Sequence, residues 1–119
     1  NFETKTLFIP LTKNGHSRTI PLSNQAISIL RDIQDKNDTD KQRPFPLSDN
    51  AAKLAWQRLL RRSGIDDLHF HDFRHEAISR FFERGLSVPE VALISGHRDF
   101  RMLVRYTHLK AEDVAQKLM

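Results

Sequence analysis

Three signals that begin or end helices divide the segment 69–106, and this division constrains the fold more than any other feature of the sequence. Gly85 and Gly96 are suited to the left-handed backbone that ends a helix. Between them, Ser87-Val88-Pro89-Glu90 has the pattern of a capping box with proline in the first turn. The sequence therefore predicts a helix that ends near residue 84 and a short helix that runs to about residue 95.

Apolar residues at helical spacing predict more helices along the chain. One follows Ser23, a favourable N-cap, and extends to about residue 35. After a polar loop over 35–47, a second helix begins near Ser48 or Asp49 and ends at Gly64. Its predicted buried stripe contains Ala52, Ala55, Trp56, Leu59 and Leu60.

The third helix is predicted from Phe70 to Arg84 and is expected to be central, because its apolar stripe is wide. The side chains expected in its buried face are Phe73, Ala77, Ile78, Phe81 and Phe82. Asp99 is predicted to cap a fifth helix, from Phe100 to about Thr107, that carries Tyr106 near its end. Ala111 to Leu118 is expected to be helical as well.

A β-hairpin precedes all the helices. Lys5–Leu11 and Ser17–Leu22 contain β-branched and aromatic residues, and the Asn14-Gly15 pair between them favours a type I′ turn. The predicted fold class is α+β: mostly α-helical, with a small antiparallel hairpin beside a helical bundle.

Composition limits the kinds of partner and site. A chain of 119 residues fits one domain, and no apolar run is long enough to span a membrane. The absence of cysteine excludes disulfides and thiolate zinc sites, and fits a reducing cytosol. Nineteen Lys and Arg against fifteen Asp and Glu give a net charge of +4, which suits a polyanionic partner.

Four side chains in the segment 69–106 suit phosphodiester chemistry. His71 and Arg74 are three positions apart, so on a helix they share one face. His97 follows Gly96, and Tyr106 is the only tyrosine in the chain. A guanidinium binds phosphate oxygens, a histidine moves a proton, and a phenol is a candidate nucleophile.

These residues carry a family resemblance. His71-Asp72-Phe73-Arg74-His75, Gly96-His97 and Tyr106, in this order, resemble the catalytic signature of the tyrosine recombinases, or phage integrases. The family has leucine where this chain has Phe73, an apolar exchange. The segment from Thr12 to Leu22 is similar to the lysine-bearing hairpin of the same family.

The resemblance implies a site-specific DNA recombinase that uses no metal, cofactor or ATP. Tyr106 attacks the scissile phosphate and forms a 3′-phosphotyrosyl link. His71 is then the acid–base residue, Arg74 and His97 bind the phosphate, and Lys13 protonates the leaving 5′-oxygen. The implied partner is double-stranded DNA, bound by a homotetramer of the full-length protein in a bacterial or phage setting in the cytoplasm.

The family also uses a first arginine upstream of the hairpin. Residues 1–119 are therefore interpreted as a single, partial catalytic domain that lacks this arginine and the N-terminal core-binding domain. Loss of one preorganised donor costs about 10²–10³ in rate, so this chain alone is expected to be inactive or nearly so. It is also expected to be monomeric.

Other interpretations remain open at this point. Residues 72–84 and 88–95 fit a non-catalytic helix-turn-helix, with Arg98 and Arg101 on DNA phosphates. A fold that serves only protein–protein assembly is a third interpretation, and it would need the phosphate-binding groups to be dispersed. The cluster of His69, His71 and His75 permits a zinc hypothesis, but their spacing places at most a pair on one helical face, without a cysteine or an obvious carboxylate as a third ligand.

Overall fold

A computed structural model describes residues 1–13, 15–36 and 43–119. Within them the fold is mostly helical with one small antiparallel two-stranded sheet, which confirms the predicted α+β class. The elements are β1 (Thr6–Ile9), β2 (Arg18–Pro21), α1 (Asn24–Lys36), α2 (Asp49–Ser63), α3 (Asp72–Glu83), α4 (Val88–Ser95), α5 (Arg101–Val104) and α6 (Ala111–Lys117).

The chain divides into two compact units. The first contains Asn1–Phe8 and Ile20–Asp72, and the second contains Ile9–Thr19 and Phe73–Met119. The first unit therefore holds α1 and α2. The second holds the tip of the hairpin together with the helices from α3 onward.

The strands of the hairpin lie where the sequence predicts them. At the hairpin tip Gly15 has φ +73°, and its N–H donates to the Thr12 carbonyl over 2.9 Å. Asn14 lies outside the described residues, and so does the type I′ turn predicted on it. Part of the predicted loop over 35–47 is also outside them, since residues 37–42 are not described.

Capping residues fix the helix ends as predicted. The Ser48 hydroxyl accepts a hydrogen bond from the Ala51 N–H over 3.1 Å at the start of α2, and Gly64 ends that helix with φ +64°. Ser87 and Glu90 form both bonds of the capping box at the start of α4. Gly85 and Gly96 have φ of +87° and +80°, the backbone conformation that glycine adopts without strain.

The second unit has its own apolar core, where α4 packs against α5. Its fully buried side chains are Val91 and Leu103, with Ile78 and Ala92 beside them. Around this cluster pack five partly buried residues, Phe81, Phe82, Leu86, Val88 and Tyr106. Burial of this apolar surface stabilises the unit by roughly 25 cal/mol per Å² removed from water.

Several predicted core positions are exposed. Phe73 is 52% exposed, and Ala77 is exposed on the same helix. None of the residues of α2 is buried: Ala52, Ala55 and Leu59 are exposed, whereas Leu60 is half-buried. Trp56, half-buried, makes an edge-to-face contact with Phe70 at 5.5 Å between ring centroids. The burial predictions for the exposed residues were wrong because periodicity marks an apolar face, whereas burial also needs an element packed on it.

The fifth helix is shorter than predicted. It spans only Arg101–Val104, and its N-cap position is Phe100 rather than Asp99. The Asp99 carboxylate nevertheless accepts hydrogen bonds from the Arg101 backbone N–H and guanidinium. Tyr106 consequently lies in the turn after this helix, not within it. Among the described residues, no helix has the length and apolar character needed to cross a bilayer.

Candidate active site

Tyr106 is held by the turn that follows α5. Its backbone N–H donates to the Leu103 carbonyl over 3.0 Å, and its ring packs against the core of the second unit. The phenolic oxygen is hydrogen-bonded to Nδ1 of His75, on α3. The two rings are nearly parallel, with an angle of 18° and 6.1 Å between centroids.

Arg105, the residue directly before Tyr106, contacts the same phenol. Its Nη2 donates to the Tyr106 oxygen over 3.2 Å, and its guanidinium carbon lies 5.1 Å from the centre of the ring. A cation in this position stabilises negative charge that develops on the phenolic oxygen. The phenol therefore lies between an imidazole and a guanidinium, which suits it to act as a nucleophile.

Ser95, the last residue of α4, holds two further side chains of the site. Its carbonyl accepts a hydrogen bond from Nη2 of Arg74 over 2.6 Å. Its hydroxyl is 2.7 Å from Nδ1 of His97 and also accepts the His97 backbone N–H over 3.4 Å. Ser95 is only 5% exposed, so the helix end fixes the relative positions of Arg74 and His97.

His97 lies in a cationic environment. Burial lowers the pKa of its imidazole, and the positive charges of Arg74 and Arg105 lower that pKa further, followed by His75 and Arg18. All these groups belong to the second unit and act on one imidazole. A concentration of positive charge of this kind favours binding of an anion such as a phosphate.

Arg18 joins this group from β2. Its guanidinium lies over the backbone of Gly96: a Cβ at residue 96 would come within 1.5 Å of Nη1. Its Nε is buried and has no hydrogen-bond partner within the described part of the chain. Glycine at 96 therefore serves two purposes, since it adopts a positive φ and leaves space for the guanidinium.

Lys13 and His71, the other predicted site residues, are both exposed. Lys13 lies in the turn of the hairpin, within the second unit. His71 belongs to the first unit and lies in the turn directly before α3, which begins at Asp72. The prediction that His71 and Arg74 share a face of one helix was therefore wrong, because His71 precedes the helix.

Sequence reasoning missed four residues of this cluster: Arg18, His75, Ser95 and Arg105. Their partners are distant in sequence, or the contact forms in a turn that helical periodicity did not predict. The one available signal was the position of His75 directly after Arg74 in the family signature, where His75 was given no catalytic role and was weighed only as a metal ligand. Within residues 1–13, 15–36 and 43–119, no three His, Asp or Glu side chains are grouped so that they could hold a metal ion.

Comparison with known proteins shows which family and which relatives this chain is similar to. The sequence profile described as the phage integrase family matches residues 1–113. Over 92% of its length the chain is 50% identical to the shufflon-specific DNA recombinase of Escherichia coli, of which it covers 28%. It is 28% identical over its whole length to tyrosine recombinase XerA of Saccharolobus solfataricus, covering 40% of that protein.

A third relative is the integrase of Salmonella phage P22, 36% identical over 49% of this chain and 15% of that protein. The chain thus spans well under half the length of these relatives. No solved structure gives a significant match. Nothing in these comparisons favours a helix-turn-helix module.

Proposed function

We propose, because this chain belongs to the phage integrase family, that it is the catalytic part of a site-specific DNA recombinase. The substrate is double-stranded DNA, and the enzyme breaks and rejoins it without metal or ATP. The observation that carries this proposal is the contact of the Tyr106 phenol with His75 and Arg105, in the same unit as Arg74 and His97.

In the cleavage step the Tyr106 oxygen attacks the scissile phosphorus. A bond forms between this oxygen and phosphorus, while the bond from phosphorus to the 5′-oxygen breaks. The product is a 3′-phosphotyrosyl link and a free 5′-hydroxyl. A second strand then reverses the step with its own 5′-hydroxyl, so the energy of the phosphodiester is conserved in the protein link.

Arg74 and His97 are proposed to bind the non-bridging phosphate oxygens. A guanidinium has five N–H donors, and the contact with Ser95 employs one of them. The lowered pKa of His97 favours a neutral imidazole, which still carries one N–H to donate. Donors that are already in place stabilise the charge of the transition state without reorganisation.

Lys13 is proposed to protonate the leaving 5′-oxygen. Its exposed position at the hairpin tip, in the same unit as Tyr106, leaves its flexible side chain accessible to DNA.

His71 enters the scheme as an acid–base residue on the family resemblance alone. The same resemblance supports a homotetramer of the full-length protein on DNA, which sedimentation of the protein–DNA complex would test.

The decisive experiment uses the full-length protein and a nicked DNA substrate that traps the cleaved state. We expect a covalent protein–DNA product that survives denaturation and disappears in Tyr106→Phe. DNA binding with no such product, unchanged by that substitution, would contradict the proposal and support a helix-turn-helix binding module instead.

A further inference from the structure

We propose that His75 is a further catalytic residue, which accepts the phenolic proton of Tyr106 as its oxygen attacks the DNA phosphate. This inference rests on the recombinase function proposed above. It assigns the deprotonation of the nucleophile to His75, which contacts it, and thereby departs from the family resemblance, which gives the acid–base role to His71.

The geometry places an acceptor directly on the reacting atom. His75 is half-buried on α3, one residue after Arg74, and its Nδ1 is hydrogen-bonded to the phenolic oxygen. Consecutive helical residues point about 100° apart, so Arg74 reaches Ser95 while His75 reaches Tyr106. One turn of α3 thus serves both the phosphate-binding arginine and the nucleophile.

The hydrogen bond from Arg105 favours a phenolic hydrogen that points to His75. A phenolic oxygen carries a single hydrogen, and the Arg105 N–H approaches this oxygen as a donor from 3.2 Å. The inference requires that the phenolic hydrogen points to Nδ1 of His75, which accepts it, and that the ring proton of His75 lies on Nε2. This arrangement is the one from which a proton can be removed.

The proton balance of the step is complete. As the bond from oxygen to phosphorus forms, the phenolic O–H bond breaks and Nδ1 of His75 gains the proton, which yields an imidazolium. The leaving 5′-oxygen takes a proton from Lys13. Rejoining reverses both transfers, so the enzyme returns to its starting state without any other reactant.

The test is His75→Asn in the full-length protein, measured by single-turnover formation of the covalent product on the nicked substrate. Asparagine places a carbonyl oxygen near the position of Nδ1, so the hydrogen bond is retained but the base is lost. We expect the rate to fall by about 10²–10⁴-fold with non-covalent DNA binding unchanged.

A matched control is His108→Asn. His108 is exposed and has φ +45°, a conformation that asparagine tolerates, so this variant should cleave at the wild-type rate. If His75→Asn retains the wild-type rate, His75 only positions the phenol and the inference is wrong. The recombinase proposal survives that result as long as Tyr106→Phe still abolishes the product.

A second substrate distinguishes protonation of the leaving group from deprotonation of the nucleophile. When sulfur replaces the leaving 5′-oxygen of the DNA, the cleaved strand departs as a 5′-thiolate, which needs no protonation. It should restore the rate of Lys13→Ala but not that of His75→Asn. If sulfur restored the cleavage rate of His75→Asn, His75 would act on the leaving group and the inference would be wrong. Absence of any covalent product in the wild-type protein would overturn the proposed function together with it.

Discussion

The guanidinium of Arg18 lies over the backbone of Gly96, in the space that a side chain at residue 96 would fill. Strand β2 thereby contacts the loop that carries His97, although the two residues are far apart in sequence. The contact adds a positive charge beside His97 and makes the hairpin part of the site in the second unit.

Gly96→Ala should weaken both stability and cleavage. The positive φ costs an L-residue about 1–2 kcal/mol, and the new methyl group displaces the Arg18 guanidinium. Gly85→Ala is the matched control, because its φ of +87° imposes the same backbone cost with nothing within 4 Å of the new Cβ. We expect denaturant unfolding to show a larger loss for Gly96→Ala, accompanied by slower formation of the covalent product. Equal effects of the two substitutions would contradict the Arg18 contact.

Ser95→Ala should slow cleavage without weakening DNA binding. The substitution removes the hydroxyl that holds Nδ1 of His97, so the imidazole loses its fixed orientation. One hydrogen bond of this type contributes about 1 kcal/mol, so the rate should fall about fivefold. Ser79→Ala, at a half-buried serine of α3, is the control and should remain at the wild-type rate. A Ser95→Ala enzyme that cleaves normally would show that His97 needs no such support.

Acidification should destabilise the native state through His97. Its pKa in the folded chain is below the ordinary value of 6.5, so the unfolded chain binds this proton first. The contribution to stability is complete above about pH 6.5 and is lost as the pH falls through the lower pKa of the folded state. NMR titration of the histidine rings, with His97→Gln for assignment, should give a midpoint below 6.5. A midpoint at or above that value would refute the prediction.

Arg105→Gln should reduce the rate of nucleophilic attack. The substitution removes the cation that donates to the phenolic oxygen and lies over the ring of Tyr106. Loss of one such donor typically costs about 10²–10³ in rate. Arg80→Gln is a suitable control, because Arg80 is exposed and paired with Glu76 and Glu83. Single-turnover cleavage measures both variants, and similar rates for the two would show that Arg105 does not act on Tyr106.

The sequence by itself determined the local structure. Ser48, Gly64, the Ser87–Glu90 capping box and Gly96 act within a few residues of themselves, so their pattern predicts helix ends without knowledge of the fold. The order of the motifs was likewise sufficient for the family resemblance, which the match over residues 1–113 confirmed. Which helical faces are buried was predicted less well, as exposed Phe73 and the largely exposed α2 illustrate.

Only the tertiary structure decided how the site is assembled. The contacts of His75 with Tyr106 and of Arg74 with Ser95 join residues 31 and 21 positions apart. The contact of Arg18 with Gly96 joins a strand to a loop. Such pairs depend on how α3, α4 and the turn after α5 pack around Val91 and Leu103, and no local propensity encodes that packing. Short-range hydrogen bonding therefore specified the elements, whereas burial of the shared core brought an imidazole and a guanidinium onto the phenol.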